Sequence, residues 1–145
     1  MPRIRPVASV VALVVCAGLA CTSEPRPHRI RLATDDFAFE VTADVMPPRA
    51  VELTTYTIRV KDRETKAPVV DGEGRLFATN RSRITVWDGL APGAEPGTYT
   101  ARVRFLTAGQ WQLGLQFRAG HDTTVALQRT HDWGQLVRNE SPPEP

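Results

Sequence analysis

This 145-residue sequence predicts an all-β fold, an antiparallel β-sandwich of about seven or eight short strands. Three observations carry that reading. Between residues 29 and 138 apolar and polar residues alternate at a period of two in one stretch after another, while helical periodicity is almost absent. Pro47, Pro48, Pro68, Pro92 and Pro96 all fall between those stretches, where turns rather than paired strands belong. Each stretch is apolar on one side only, the mark of two sheets packed face to face, and an immunoglobulin-like sandwich is the expected architecture. With 41% apolar and 23% charged residues, the chain has the composition of a globular domain rather than of a disordered or fibrous protein.

The fold is preceded by an address. Arg3 and Arg5 form a positive n-region, and residues 7–20 are an uncharged apolar run, the pattern of a secretory signal peptide over residues 1–20. The run is shorter than the roughly 20 apolar residues a spanning helix needs. It ends in Ala17-Gly18-Leu19-Ala20-Cys21, which resembles the bacterial lipobox, in which signal peptidase II cuts before a cysteine whose thiol takes a diacylglycerol; Gly18 stands where that motif prefers Leu. Cleavage removes Cys16, so Cys21 is the one thiol left in the mature chain and has no disulfide partner. Acylation disposes of a thiol that would otherwise be a liability in an oxidising compartment. Loss of Arg3 and Arg5 leaves 16 basic and 16 acidic residues, so lipid rather than net charge would hold the chain at a membrane. Thr22 is not the Asp of an inner-membrane retention signal, and an outer-membrane or cell-surface location in the bacterial envelope is expected. Residues 21–28, polar and Pro-containing, read as a lipidated tether.

Along the domain, residues 29–138, alternation marks Ile30/Leu32, then Phe37/Phe39/Val41, then Thr54/Tyr56/Ile58/Val60. It continues over residues 76–80, at Ile84/Val86 and at Val125/Leu127, the last within a strand predicted over residues 123–130. The clearest runs are Tyr99/Ala101/Val103/Phe105 and Trp111/Leu113/Leu115/Phe117. A hairpin turning through residues 106–110 would join them with both apolar sets on one face. Residues 139–145 hold three prolines and read as a disordered tail.

Two stretches resemble the FixH/YtkA-like family, an immunoglobulin-like module of bacterial envelope proteins. The first is Tyr56-Thr57-Ile58-Arg59-Val60-Lys61-Asp62 with the turn Lys66-Ala67-Pro68-Val69; the second is residues 97–105, starting Gly97-Thr98-Tyr99, with Ala108-Gly109-Gln110-Trp111-Gln112-Leu113. Together they span residues 56–117. The resemblance implies a fold and an envelope location. Members often carry Met and His between these stretches, linked with copper handling, but residues 74–83 here contain neither.

Sites of chemistry are weakly marked. His121-Asp122 and His131-Asp132 repeat a dipeptide, yet ten residues of extended chain would hold them about 30 Å apart, so they and His28 read as surface histidines and no metal site is expected. Asp35-Asp36 and Asp71-Gly72-Glu73-Gly74 read as turns. Ser82, between Arg81 and Arg83, lacks a nucleophile elbow, and no catalytic residue or cofactor is expected. Arg59, Arg102, Arg104 and Arg118 fall on solvent-side positions and form the candidate binding face, forked donors for an anionic partner or another envelope protein. Trp87 lies outside the Tyr99/Trp111 set, and Trp133 is expected to cover the end of the sandwich. The reading is a membrane-tethered, non-catalytic binding or assembly module that does not bind nucleic acid, its net charge of +2 being too small for that. A copper-handling envelope protein is the alternative, and a hydrolase a more distant one.

Overall fold

The structure, a computed structural model, describes residues 28–142, so the signal peptide, Cys21, most of the tether and residues 143–145 lie outside the described residues. Among the described residues ten strands and no helix are present, and the strands form two antiparallel sheets. The first has the order β1-β2-β3-β7-β6, made of Ile30–Ala33, Phe37–Ala43, Leu53–Asp62, Thr98–Arg104 and Ala91–Pro92. The second has the order β10-β8-β4-β5, made of Trp133–Val137, Gly109–Ala119, Gly72–Asn80 and Thr85–Gly89, with β9 (Gln128–Arg129) also pairing with β8.

The alternation sets the faces. Phe39, Val41, Tyr56, Ile58, Val60, Tyr99, Ala101 and Val103 point inward from the first sheet, and Leu76, Ala78, Trp111, Leu113, Leu115 and Phe117 from the second; all are buried. Aromatic edges knit the two layers together: the Phe117 ring meets Phe37 at 5.0 Å and Tyr99 at 5.5 Å, both edge to face. Pairs of this kind add to the area term that drives the burial. Among the described residues the buried core runs from Phe37 to Val137, with Ile30 and Leu32 packed against it.

Three expectations are corrected. The two clearest runs do not form a hairpin: β7 pairs with β3 and β6, β8 pairs with β4, β10 and β9, and residues 105–108 carry the chain from one sheet to the other. Both odd-numbered sets face the core as expected, but from opposite walls. Phe105 and Trp111 pin the crossing, their rings 5.3 Å apart and edge to face, and Trp111 Nε1 donates to the Thr107 carbonyl at 3.0 Å. The strand over residues 123–130 shrinks to Gln128–Arg129, because Asp122 accepts from the Thr124 backbone and hydroxyl and turns the chain; Val125 and Leu127 are left exposed. Pro92 lies within β6, a two-residue edge strand where a missing donor costs the ladder little. A strand absent from the sequence reading, β10, buries Gln135 and Val137 while Leu136 faces out.

Strand direction fixes the two ends. The β2–β3, β4–β5 and β7–β8 connections, together with the C-terminal residues after β10, share one end. Ala50 donates to the Arg138 carbonyl there, Ser141 to Glu52, and Asn80 to Thr107, tying these segments together. Because β1 runs away from this end, His28 and Arg29 enter the fold from its side.

Candidate functional site

The four arginines of the expected binding face are divided between the sheets. Arg59, Arg102 and Arg104 lie on the outer face of the first sheet, opposite Thr98, Thr55 and Leu53 respectively. Arg118 lies on β8 of the second sheet with its side chain only 13% exposed, held by Glu73 and by the Val125 carbonyl at 2.9 Å. Register arithmetic within single strands showed each of these side chains pointing out, but not that β7 and β8 belong to different layers. Arg59 is matched by Glu95 at 2.7 Å, and Glu40 stands across the strand from it. Arg102 and Arg104 are exposed and make no ion pair among the described residues. The Arg102 backbone N–H donates to Asp88 Oδ2 at 2.7 Å, a contact from β5 that closes one side of the sandwich and aims the guanidinium outward.

Arg104 leads into a larger feature. At the end that carries both termini of the described chain, the connections and C-terminal residues hold Arg49, Arg81, Arg83 and Arg138 against Asp44, Glu52 and Glu140. None of those arginines makes an ion pair among the described residues, whereas Asp44 and Glu52 accept backbone N–H groups from Thr55 and Ser141. At the opposite end the connections hold Asp35, Asp36, Glu64, Asp71, Glu95 and Asp122 against Arg63 and Lys66. A chain whose formal net charge is only +2 therefore carries a basic end and an acidic end. Exposed Val45, Val51, Leu53 and Leu106 lie among the arginines. Val51 sits at φ 66°, a left-handed conformation that disfavours β-branched side chains, and is held there by its N–H bond to the Phe105 carbonyl.

The acidic end contains a charge network that the sequence reading assigned to turns. Gly72 and Gly74 are in strand β4, and a Cβ at Gly74 would run into the Gln116 carbonyl, so the glycines bring two backbones together. Glu73 between them holds Arg118 and accepts from His121 Nδ1 at 3.1 Å, while His121 Nε2 reaches Asp71 at 2.8 Å. The hydrogen bond to Glu73, then that to Asp71, raises the His121 pKa above its ordinary value; His121 and then Arg118 lower that of Glu73. The two carboxylates bind opposite edges of the ring, so they do not converge on one point with it. His28 and His131 are exposed, and Ser82 is exposed in the β4–β5 turn.

The outer face of the second sheet carries Trp87, 62% exposed, across from Phe77 and 5.8 Å from the Arg75 guanidinium. Arg129 covers the Phe77 ring at 4.9 Å and forks onto Asp132. The odd-numbered outward positions of β4 were the available signal for this cluster. Trp133 packs partly buried against the core edge, its Nε1 without a partner among the described residues.

Compared with known protein-family models the chain matches none, and no curated protein matches it.

Proposed function

We propose that this chain is a lipid-anchored protein of the bacterial envelope, a non-catalytic binding or assembly module with a FixH/YtkA-like, immunoglobulin-like sandwich. One observation carries the anchoring: the positive n-region and apolar run end at Cys21, only nine residues before Ile30, where the described core begins. That is the spacing of a tether, not of a buried segment.

Strand order supports the immunoglobulin-like reading. With β2, β3, β7 and β6 read as strands A, B, E and D, and β10, β8, β4 and β5 as G, F, C and C′, both sheets take the order of that fold, with β1 added at an edge. The E–F crossing supports it too. There Trp111, near the start of strand F, bonds back to the backbone four residues upstream, the part that a tyrosine plays at this corner in many such domains.

A binding role is supported by where the free charge lies. Arg102 and Arg104 are the two arginines of the expected face whose guanidinium groups make no ion pair among the described residues, and His121, the histidine with the strongest contacts, is engaged by carboxylates rather than by a hydroxyl or thiol nucleophile. Fractionating cells that express the full chain or its Cys21→Ser variant tests the anchor. After a high-salt wash that strips charge-held protein, the wild type stays with the membranes and the variant does not; a Cys21→Ser protein that stays with the washed lipid fraction overturns the proposal.

A further inference from the structure

We infer that the arginine-bearing end of the sandwich is a docking surface for the anionic phospholipid headgroups of the bilayer to which the chain is tethered. The inference rests on the lipid-anchor reading for its setting, and its evidence is separate. The surface is an end of the molecule, not a sheet face, and it is the end from whose side His28 and Arg29 enter the fold. Eight residue-to-residue steps run from Cys21 to Arg29, a reach of at most about 28 Å even when fully extended, so a lipid on Cys21 keeps this end close to the headgroups.

Charge and shape select the partner. Arg81, Arg83 and Arg104 project from the β4–β5 turn and the end of β7 and make no ion pair among the described residues. Guanidinium forks suit phosphate oxygens. Exposed Val51, Leu53 and Leu106 stand beside them, placed by the Leu53–Arg104 register and by the Val51 bond to the Phe105 carbonyl. Aliphatic tips flanked by cations match a surface that is anionic on top and apolar just beneath. Val51 adds an independent sign: its left-handed backbone favours glycine, yet an aliphatic side chain is held there facing solvent. The opposite end also exposes aliphatics, Val70, Val125 and Leu127, but among carboxylates that an anionic bilayer repels. A second copy of the chain, its acidic end against this basic one, is the competing occupant; the tether favours lipid by holding it nearby.

The test uses the unlipidated chain from Thr22 to Pro145, which retains the whole core, with vesicles of equal parts phosphatidylglycerol and phosphatidylcholine or of phosphatidylcholine alone. The chain is expected to sediment with the anionic vesicles, to be released by added salt, and to ignore the neutral ones. Arg81→Gln with Arg83→Gln lowers partitioning by about tenfold or more, since each arginine near such a surface contributes about fivefold. Val51→Gly, which relieves the backbone, melts no lower than wild type and still partitions less. Arg63→Gln with Lys66→Gln, at the acidic end and beyond the screening length from the bilayer, leaves partitioning nearly unchanged. No preference for anionic vesicles, wild-type partitioning by the Arg81/Arg83 variant, or head-to-tail oligomers that account for the sedimentation would each overturn the docking surface. The anchor is read separately, from lipid on Cys21 in cells: lipidated Cys21 without vesicle binding removes the docking surface and leaves the anchor, and the reverse result removes the anchor and leaves the surface.

Discussion

Tyr56 and Tyr99 are both buried in the first sheet, yet their hydroxyls are differently placed. Tyr99 Oη donates to the Val69 carbonyl at 2.7 Å, whereas Tyr56 Oη has no partner among the described residues and burial pushes its pKa upward. Removing a hydroxyl that bonds to nothing loses no interaction and relieves desolvation, so Tyr56→Phe is expected to leave stability unchanged or raise it by up to about 1 kcal/mol. Tyr99→Phe is expected to cost about 0.5–1.5 kcal/mol. Chemical denaturation of the two variants decides it, and a larger loss for Tyr56→Phe contradicts the assignment. Alternation over residues 54–60 predicts that Tyr56 points inward; it says nothing about whether an oxygen will face the ring, because that depends on the opposite sheet. Gly74 shows the same limit. Its sequence context reads as a turn, whereas the need for glycine comes from the Gln116 carbonyl of a strand 42 residues away. Gly74→Ala is expected to destabilise by about 1–3 kcal/mol, as overpacking does.

Among the elements, the crossing from β7 to β8 is the one most easily misread. The apolar parity of residues 99–105 and 111–117 is the same whether the strands pair side by side or face one another across a core, so periodicity alone identifies the faces and leaves the pairing open. Phe105 and Trp111 carry the missing information, since two large aromatics at the ends of a four-residue connection are more at home bridging layers than capping an exposed hairpin. Trp111→Ala empties the centre of that bridge and is expected to cost about 3–5 kcal/mol, a large fraction of the roughly 5–15 kcal/mol of a typical domain; a melting temperature equal to wild type contradicts it. The segment after β8 was misread for the opposite reason, its Val125/Leu127 alternation being a surface accident beside an Asp122 turn. What fastens that segment is His121. Its pKa is raised in the folded chain, so its stabilising contribution is complete below the ordinary 6.5 and lost as pH rises through the higher folded value. Glu73, lowered in the folded chain, contributes above its ordinary 4.5 and loses that contribution as pH falls through its folded value. The fastening is therefore strongest between these two values. An NMR titration of the His121 ring is expected to give a pKa above 6.5, falling toward it in Glu73→Gln; a value at or below 6.5 in the wild type contradicts the network.

For the whole molecule, the sheets and most of the core are legible in the sequence, and the charge distribution is not. Eighteen basic and sixteen acidic residues give no hint of polarity, because which connections share an end is decided by topology. Once β7 and β8 are assigned to different layers, the arginines separate: Arg118 belongs to an ion-pair network, and Arg102 and Arg104 to an unmatched corner. Such exposed charge acts over about 8–10 Å at 0.1–0.15 M salt, so contacts made through it weaken as salt rises. Arg102→Gln with Arg104→Gln is expected to leave the melting curve unchanged while weakening retention on heparin, an anionic probe; wild-type retention contradicts a role for this corner. In the proposed function all of these surfaces take their setting from one covalent bond, the lipid on Cys21. The most direct measurement is the intact mass of the protein recovered from the membrane fraction of expressing cells. Lipid anchoring predicts a chain that begins at Cys21 and carries the mass of a diacylglycerol on it; a chain that begins elsewhere, or at an unmodified Cys21, contradicts it.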